Sequence, residues 1–206
     1  GYNDKGKYYT DYIDLESFAD QWLFYELNEE NSVNSSVYYY KDSDICGDGK
    51  LHASWPWDME HSLAREGGAA SSWFAAASDL KPESYWMQFY HHRDFAEAVY
   101  KEWMTKFVPA LEKALNPVTG YDPDGISSLD WYLGYYGTDA QINESRWNGS
   151  GFAEKLEKIR RIYTVRLDFL TEALGLYDTD YIYFYKENGI LYGVNAQEES
   201  IPVENP

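Results

Sequence analysis

Apolar residues recur at helical spacing from residue 15, with Leu15, Phe18, Trp22 and Tyr25 on one face. That period predicts an amphipathic helix over 15–27, with Asp14 as its N-cap. The polar run Asn28-Glu29-Glu30-Asn31 ends it. Two strands then follow, 37–41 (VYYYK) and 50–55 (KLHASW), joined by the loop DSDICGDG. Directly after the second strand comes Trp55-Pro56-Trp57-Asp58-Met59-Glu60. Asp58, set among tryptophans and a proline, reads as a buried acid that needs a metal, a base or a donor as partner.

Residues 61–81 read as a Gly- and Ala-rich loop with a helical turn near 72–77. ESYWMQFYHH (83–92) reads as a short aromatic helix. A longer helix follows from about Asp94 to Leu115, where Phe95, Val99, Trp103, Phe107, Leu111 and Leu115 step by four. A helix is expected from Ile126 to about Trp147, and another over 152–174. The second carries Phe152, Leu156, Ile159, Tyr163, Leu167, Leu170 and Leu174 along one side, with Gly175 at its end. DYIYFYKENGILYGVN reads as a hairpin about Asn188-Gly189. The predicted class is α-rich α+β with a central and a terminal β-hairpin. Its organisation is a main unit over 1–177, the hairpin over 178–198 packed on it, and a linker over 199–206.

Composition narrows the function. The chain has 206 residues, 44% hydrophobic and 18% aromatic, enough for one folded core. A net charge of −18 makes nucleic acid and anionic membranes poor expectations for partners, and membrane insertion is not expected because no apolar run is long enough to span one. Cys46 is the one cysteine, so no intrachain disulfide forms and no zinc site is offered. Asp42–Gly49 imitates part of a calcium loop but lacks the closing Glu and the flanking helices, so a hairpin turn is the better reading. The 8 Trp and 21 Tyr allow a second class of function, a non-catalytic module binding polysaccharide or protein. A sugar platform would need exposed rings lying in one plane on one face.

YIDLESFADQWLFYELN, YYYKD, GKLH and WPWDME, in that order, resemble the spore-coat protein H (CotH) kinase-like family. FAEAVYKEW (95–103), Arg146-Trp147 and RLDFLTEALG (166–175) extend the resemblance over about residues 11 to 175. The resemblance implies the C-terminal lobe of an atypical, metal-dependent protein kinase using ATP and Mg2+. It implies location outside the cell, on a bacterial surface or spore coat, with a protein substrate or structural partner. In the family's pattern an Asp precedes the tyrosine strand, with an Asn or Ser five residues on. Counting back from Tyr38 puts Asn31 and Ser36 there; counting forward from Glu26-Leu27 puts Ser32 first. Neither count yields a carboxylate, which Asn cannot replace as a proton acceptor. Glu29 or Glu30 is the candidate substitute. The family's WDxD motif stands as Trp57-Asp58-Met59-Glu60, making Asp58 and Glu60 the implied metal ligands. A Gly-rich phosphate loop and a strand lysine are missing from the chain, so it is expected to need the upstream half of the domain and to bind ATP weakly or not at all alone.

Overall fold

A computed structural model describes residues 2–30, 37–63, 66–73, 89–147, 151–181 and 183–203. Asp14 Oδ1 accepts the Ser17 amide and starts helix α1 (Leu15–Asn28). Phe18, Trp22, Leu23 and Tyr25 are buried on it. Strands β1 (Tyr39–Lys41) and β2 (Leu51–Ala53) form the central antiparallel hairpin, with Tyr39 opposite Ala53. Both are shorter than the alternating runs that predicted them. The free edge of β2 is closed by the chain entering α1: Leu51 N donates to Tyr12 O and Asp14 N to Leu51 O. Ala53 N donates to Ser17 Oγ, which fastens the hairpin to the first turn of α1.

The four-step apolar ladder forms a nearly continuous helical rod. It runs as α2 (Arg93–Glu102), a π turn (Trp103–Phe107) and α3 (Val108–Leu115). Pro109 explains the widened turn. It has no amide proton, and its ring would press on the carbonyl four residues back. The turn inserts one residue there, and Val108 N donates to Trp103 O. Phe95, Val99, Trp103 and Leu111 are buried as the ladder predicts, while Phe107 and Leu115 are half-buried. Helix α4 (Leu129–Trp147) begins three residues later than expected, because Ser128 Oγ caps it by accepting the Trp131 amide.

Helix α5 (Phe152–Leu174) has the expected length but a rotated inner face. Leu156, Leu170 and Leu174 are buried as predicted, yet Ile162, Arg166, Phe169 and Ala173 form the rest of the buried line. Strands β3 (Tyr183–Glu187) and β4 (Ile190–Val194) make the terminal hairpin, turning on Asn188 and Gly189, both with positive φ. Ser200–Pro202, read in the sequence as part of a linker, forms β5 on the outer edge of β4. On the other edge, Lys186 N donates to Ser71 O and Trp73 N to Phe184 O. The strap 70–73 therefore joins the sheet to the helical core. Trp73 meets the rings of Trp22, Tyr90 and Phe184 at 5.7, 4.5 and 5.2 Å. The chain is thus mixed α+β, with helices and two small antiparallel sheets, one of two strands and one of three.

Gly193 on β4 lies under the Tyr181 ring, and a Cβ there would overlap it. Gly193→Ala is expected to lower stability by about 1–3 kcal/mol, as overpacking does, read as a lower urea midpoint. A midpoint equal to that of the parent would mean that the ring shifts freely.

Candidate functional site

The last turn of α1 carries an unusual group of side chains. Glu26, Glu29 and Glu30 are all fully buried. Glu29 closes the helix in the left-handed region, φ 53°, with Glu30 N donating to Tyr25 O. Glycine usually takes such a position, and a buried glutamate there is strained by roughly 1 kcal/mol or more. The group is organised by Arg166 of α5, itself fully buried. Its Nη2 donates to Glu26 Oε1 and to Glu26 O, both at 2.6 Å. Its Nη1 donates to Ala70 O at 3.0 Å and Ser72 O at 2.7 Å, and lies 4.0 Å from Glu29 Oε1. One guanidinium thus ties α1, the strap and α5 together at the base of the glutamate group. Tyr163, one turn earlier on α5, donates to Asn28 Oδ1 at 2.7 Å.

The segment after WPWDME reaches the same end of α1. Ser62 Oγ donates to Glu30 Oε2 at 2.8 Å, and Leu63 N donates to Asn28 O at 2.7 Å. Asp58 sits just before this junction, ahead of the turn Met59–His61, with φ 62° and ψ 53°. Left-handed backbone at a non-glycine residue is uncommon and gathers at functional turns, although Asp tolerates it better than most. Contrary to the expectation of a buried acid, Asp58 is exposed, because Trp55 and Trp57 themselves face solvent. Its side chain does not cap the turn. Glu60 is exposed and lies 3.5 Å from His61. Asn31, Ser32 and Ser36 lie outside the described residues. The Asp58–Glu60 turn therefore leads into the end of α1 that carries Glu30, while the cavities beside Tyr177, Trp55 and Tyr135 are lined by other residues.

Among the described residues two acidic groups have donor atoms close enough for a metal ion, and neither includes Asp58 or Glu60. In one, Asp14, Asp48 and His52 meet where the hairpin loop returns to α1. Asp48 Oδ1 there accepts the Lys50 amide and both its oxygens face His52 Nε2. Those bonds pull its carboxyl below the usual carboxylate range, the backbone bond first. This is turn chemistry, as the loop's spacing implied. In the other, Glu16, Asp20 and Glu102 surround Lys106 Nζ at 2.7, 2.9 and 2.7 Å. The ammonium occupies the place that a cation would take. Burial raises the Asp20 carboxyl, while Lys106 pulls against it.

One group of exposed rings gathers where the loop at Tyr121 meets the first turns of α4, with Tyr132, Tyr135 and Tyr136 beside Trp131. Tyr121, Trp131 and Tyr135 are near-parallel, with centroids 5.1 and 4.9 Å apart. At that separation near-parallel rings are offset-stacked, one behind the next, and do not lie side by side in one plane.

Sequence reasoning missed the centre of the cluster, Arg166. Its signal was its place in the ladder Ile162, Arg166, Leu170, a charge at helical spacing between apolar residues. No family model, curated protein or solved structure matches the chain. No described helix is long and apolar enough to cross a membrane.

Proposed function

We propose that the protein is a CotH-like, kinase-related lobe with a degenerate phosphoryl-transfer site. Asp58 and Glu60 hold a divalent metal, and Glu30 stands near the position of the missing proton-accepting carboxylate. The observation that carries this reading is the junction of Ser62 with Glu30 and Leu63 with Asn28. It brings the segment that leaves the acid-bearing turn to the acid-bearing end of α1, in keeping with the pairing of metal ligands and carboxylate that metal-assisted phosphoryl transfer needs. The left-handed backbone at Asp58 is in keeping with a turn shaped for a ligand. Mg2+ with ATP is the implied ligand pair, and a protein hydroxyl the implied acceptor. The implied setting is a bacterial surface or spore coat.

The test separates metal binding from catalysis. Mn2+ titrated into the chain is expected to bind weakly at one site. Asp58→Asn combined with Glu60→Gln is expected to reduce that affinity at least tenfold, since each lost carboxylate ligand is charged. Mg-ATP is expected to raise the melting midpoint by no more than about 1 °C, the mark of a ligand well below saturation. Mn2+ affinity unchanged in the double variant would remove Asp58 and Glu60 as ligands. A shift of several degrees with Mg-ATP, or phosphate transfer to the chain itself, would overturn the degenerate reading.

A further inference from the structure

A cavity of about 380 Å³ opens beside α1, away from the glutamate group, between the hairpin and the π turn. Its floor is Asp20 and Gln21 of α1. Its walls are Phe24, Phe107 and Lys106 on one side and Tyr40, Trp55 and Pro56 on the other. Three features show what would fit it.

First, the buried unpartnered atoms of its lining residues are both acceptors. Gln21 is 3% exposed, and its Nε2 donates to Ser54 O while its Oε1 has no partner among the described residues. Asp20 Oδ1 is likewise buried without a partner among them, because Lys106 engages the other oxygen. Both open atoms are acceptors, and a buried acceptor left unmet costs roughly 1–3 kcal/mol. The occupant must bring donors.

Second, the surroundings are anionic. Three carboxylates, those of Glu16, Asp20 and Glu102, face the single ammonium of Lys106. Burial already works against a charged Asp20 carboxylate, and a second cation would relieve it.

Third, the rim is aromatic. The Trp55 indole is 86% exposed, and Tyr40 is half-exposed with one face against His52 at 5.0 Å. An open indole beside a cluster of acids is a favourable seat for a positive charge.

We propose that this cavity binds a small aliphatic amine, a di- or polyammonium ligand. One ammonium pairs with the Asp20 carboxylate beside Gln21, and the alkyl stem lies along Trp55 and Phe107. A neutral sugar would also bring donors and stack on Trp55, but it would leave the surplus of negative charge unmet. This site stands whether or not Asp58 holds a metal, since the two share no side chain.

The experiment is calorimetric titration of the whole chain with spermidine and putrescine, with 1,4-butanediol and cellobiose as neutral counterparts. Expected is one saturable site for the amines and none for the neutral compounds. Asp20→Asn, which keeps the shape, is expected to weaken spermidine about tenfold, a loss of about 1.4 kcal/mol. Trp55→Ala is expected to weaken it several-fold, with no change in melting midpoint because the ring is exposed. Lys106→Met is expected to strengthen it several-fold by removing the competing cation. Spermidine binding unchanged by both Asp20→Asn and Trp55→Ala would reduce the effect to diffuse attraction by an acidic chain and overturn the proposal. So would 1,4-butanediol or cellobiose binding as well as the amines.

Discussion

Arg166→Met is expected to lower the unfolding free energy by about 3–5 kcal/mol, the cost of breaking a buried charge pair from one side. The side chain is fully buried and donates four hydrogen bonds, to Glu26 Oε1, Glu26 O, Ala70 O and Ser72 O. Methionine fills much of the volume but satisfies none of them. For a chain of this size each kcal/mol moves the melting midpoint by roughly 2–4 °C, so a fall of about 10 °C is expected. Arg166→Lys should recover only part of it, because one ammonium cannot fork across a carboxylate and three carbonyls. The strap 70–73 pairs with β3, so its carbonyls are held on one side by the sheet and on the other by Arg166. Loss of Arg166 should therefore speed amide exchange at Trp73 and Lys186 as well as at the end of α1. A midpoint within about 2 °C of the parent would mean that the cluster is not what joins these parts.

That cluster also marks the limit of what periodicity reveals. Apolar spacing located α1, the four-step ladder and α5, since each buries one continuous stripe. The terminal hairpin was legible from Asn188-Gly189, whose φ angles of 51° and 79° are those the turn requires. A pattern of apolar residues treats arginine as surface, so the α5 face was set on Ile159, Tyr163 and Leu167. The true face is turned toward Ile162, Arg166, Phe169 and Ala173. β5 escaped notice because three residues ending in proline suit only a sheet edge, and that edge is where Ser200–Pro202 lies. The π turn was invisible in spacing, although Pro109 announced a disturbance within the helix. For the candidate site, the motif order brought attention to Glu30 and Asp58. Spacing alone said nothing of the burial of Glu26, Glu29 and Glu30, because that depends on Arg166 arriving from far along the chain. Asp58 was placed inside by its tryptophan neighbours, yet Trp55 and Trp57 are among the exposed rings. Aromatic content does not fix burial when a loop lies over a cavity's rim.

The second large effect is expected at alkaline pH. Burial pushes the Tyr163 phenol up to about 12, and it carries the Tyr9 and Tyr90 phenols higher still. Negative charge adds to the rise at Tyr90 through Glu26 and at Tyr9 through Asp94. In the unfolded chain a phenol titrates near pH 10. A group whose folded pKa lies above its unfolded value releases its proton later when folded. Its contribution is complete below about pH 10 and is lost as pH rises through the folded value. For Tyr163 the two-unit rise corresponds to about 3 kcal/mol, lost between about pH 10 and pH 12. Tyr9 and Tyr90 act in the same direction, and so does Lys106, whose three carboxylates hold it above the usual ammonium range while burial opposes them. Cooperative alkaline unfolding is therefore expected, followed by urea titrations at stepped pH with far-ultraviolet dichroism. Phenolate absorbance from the buried rings should appear with the unfolding transition and not before it. Tyr163→Phe isolates one ring. It should cost about 1 kcal/mol at neutral pH through the lost bond to Asn28 Oδ1. It should then lose less stability than the parent on the way to pH 12, so that the two curves converge and then cross. Curves that stay parallel over the whole range would mean that Tyr163 titrates alike in the folded and unfolded chains.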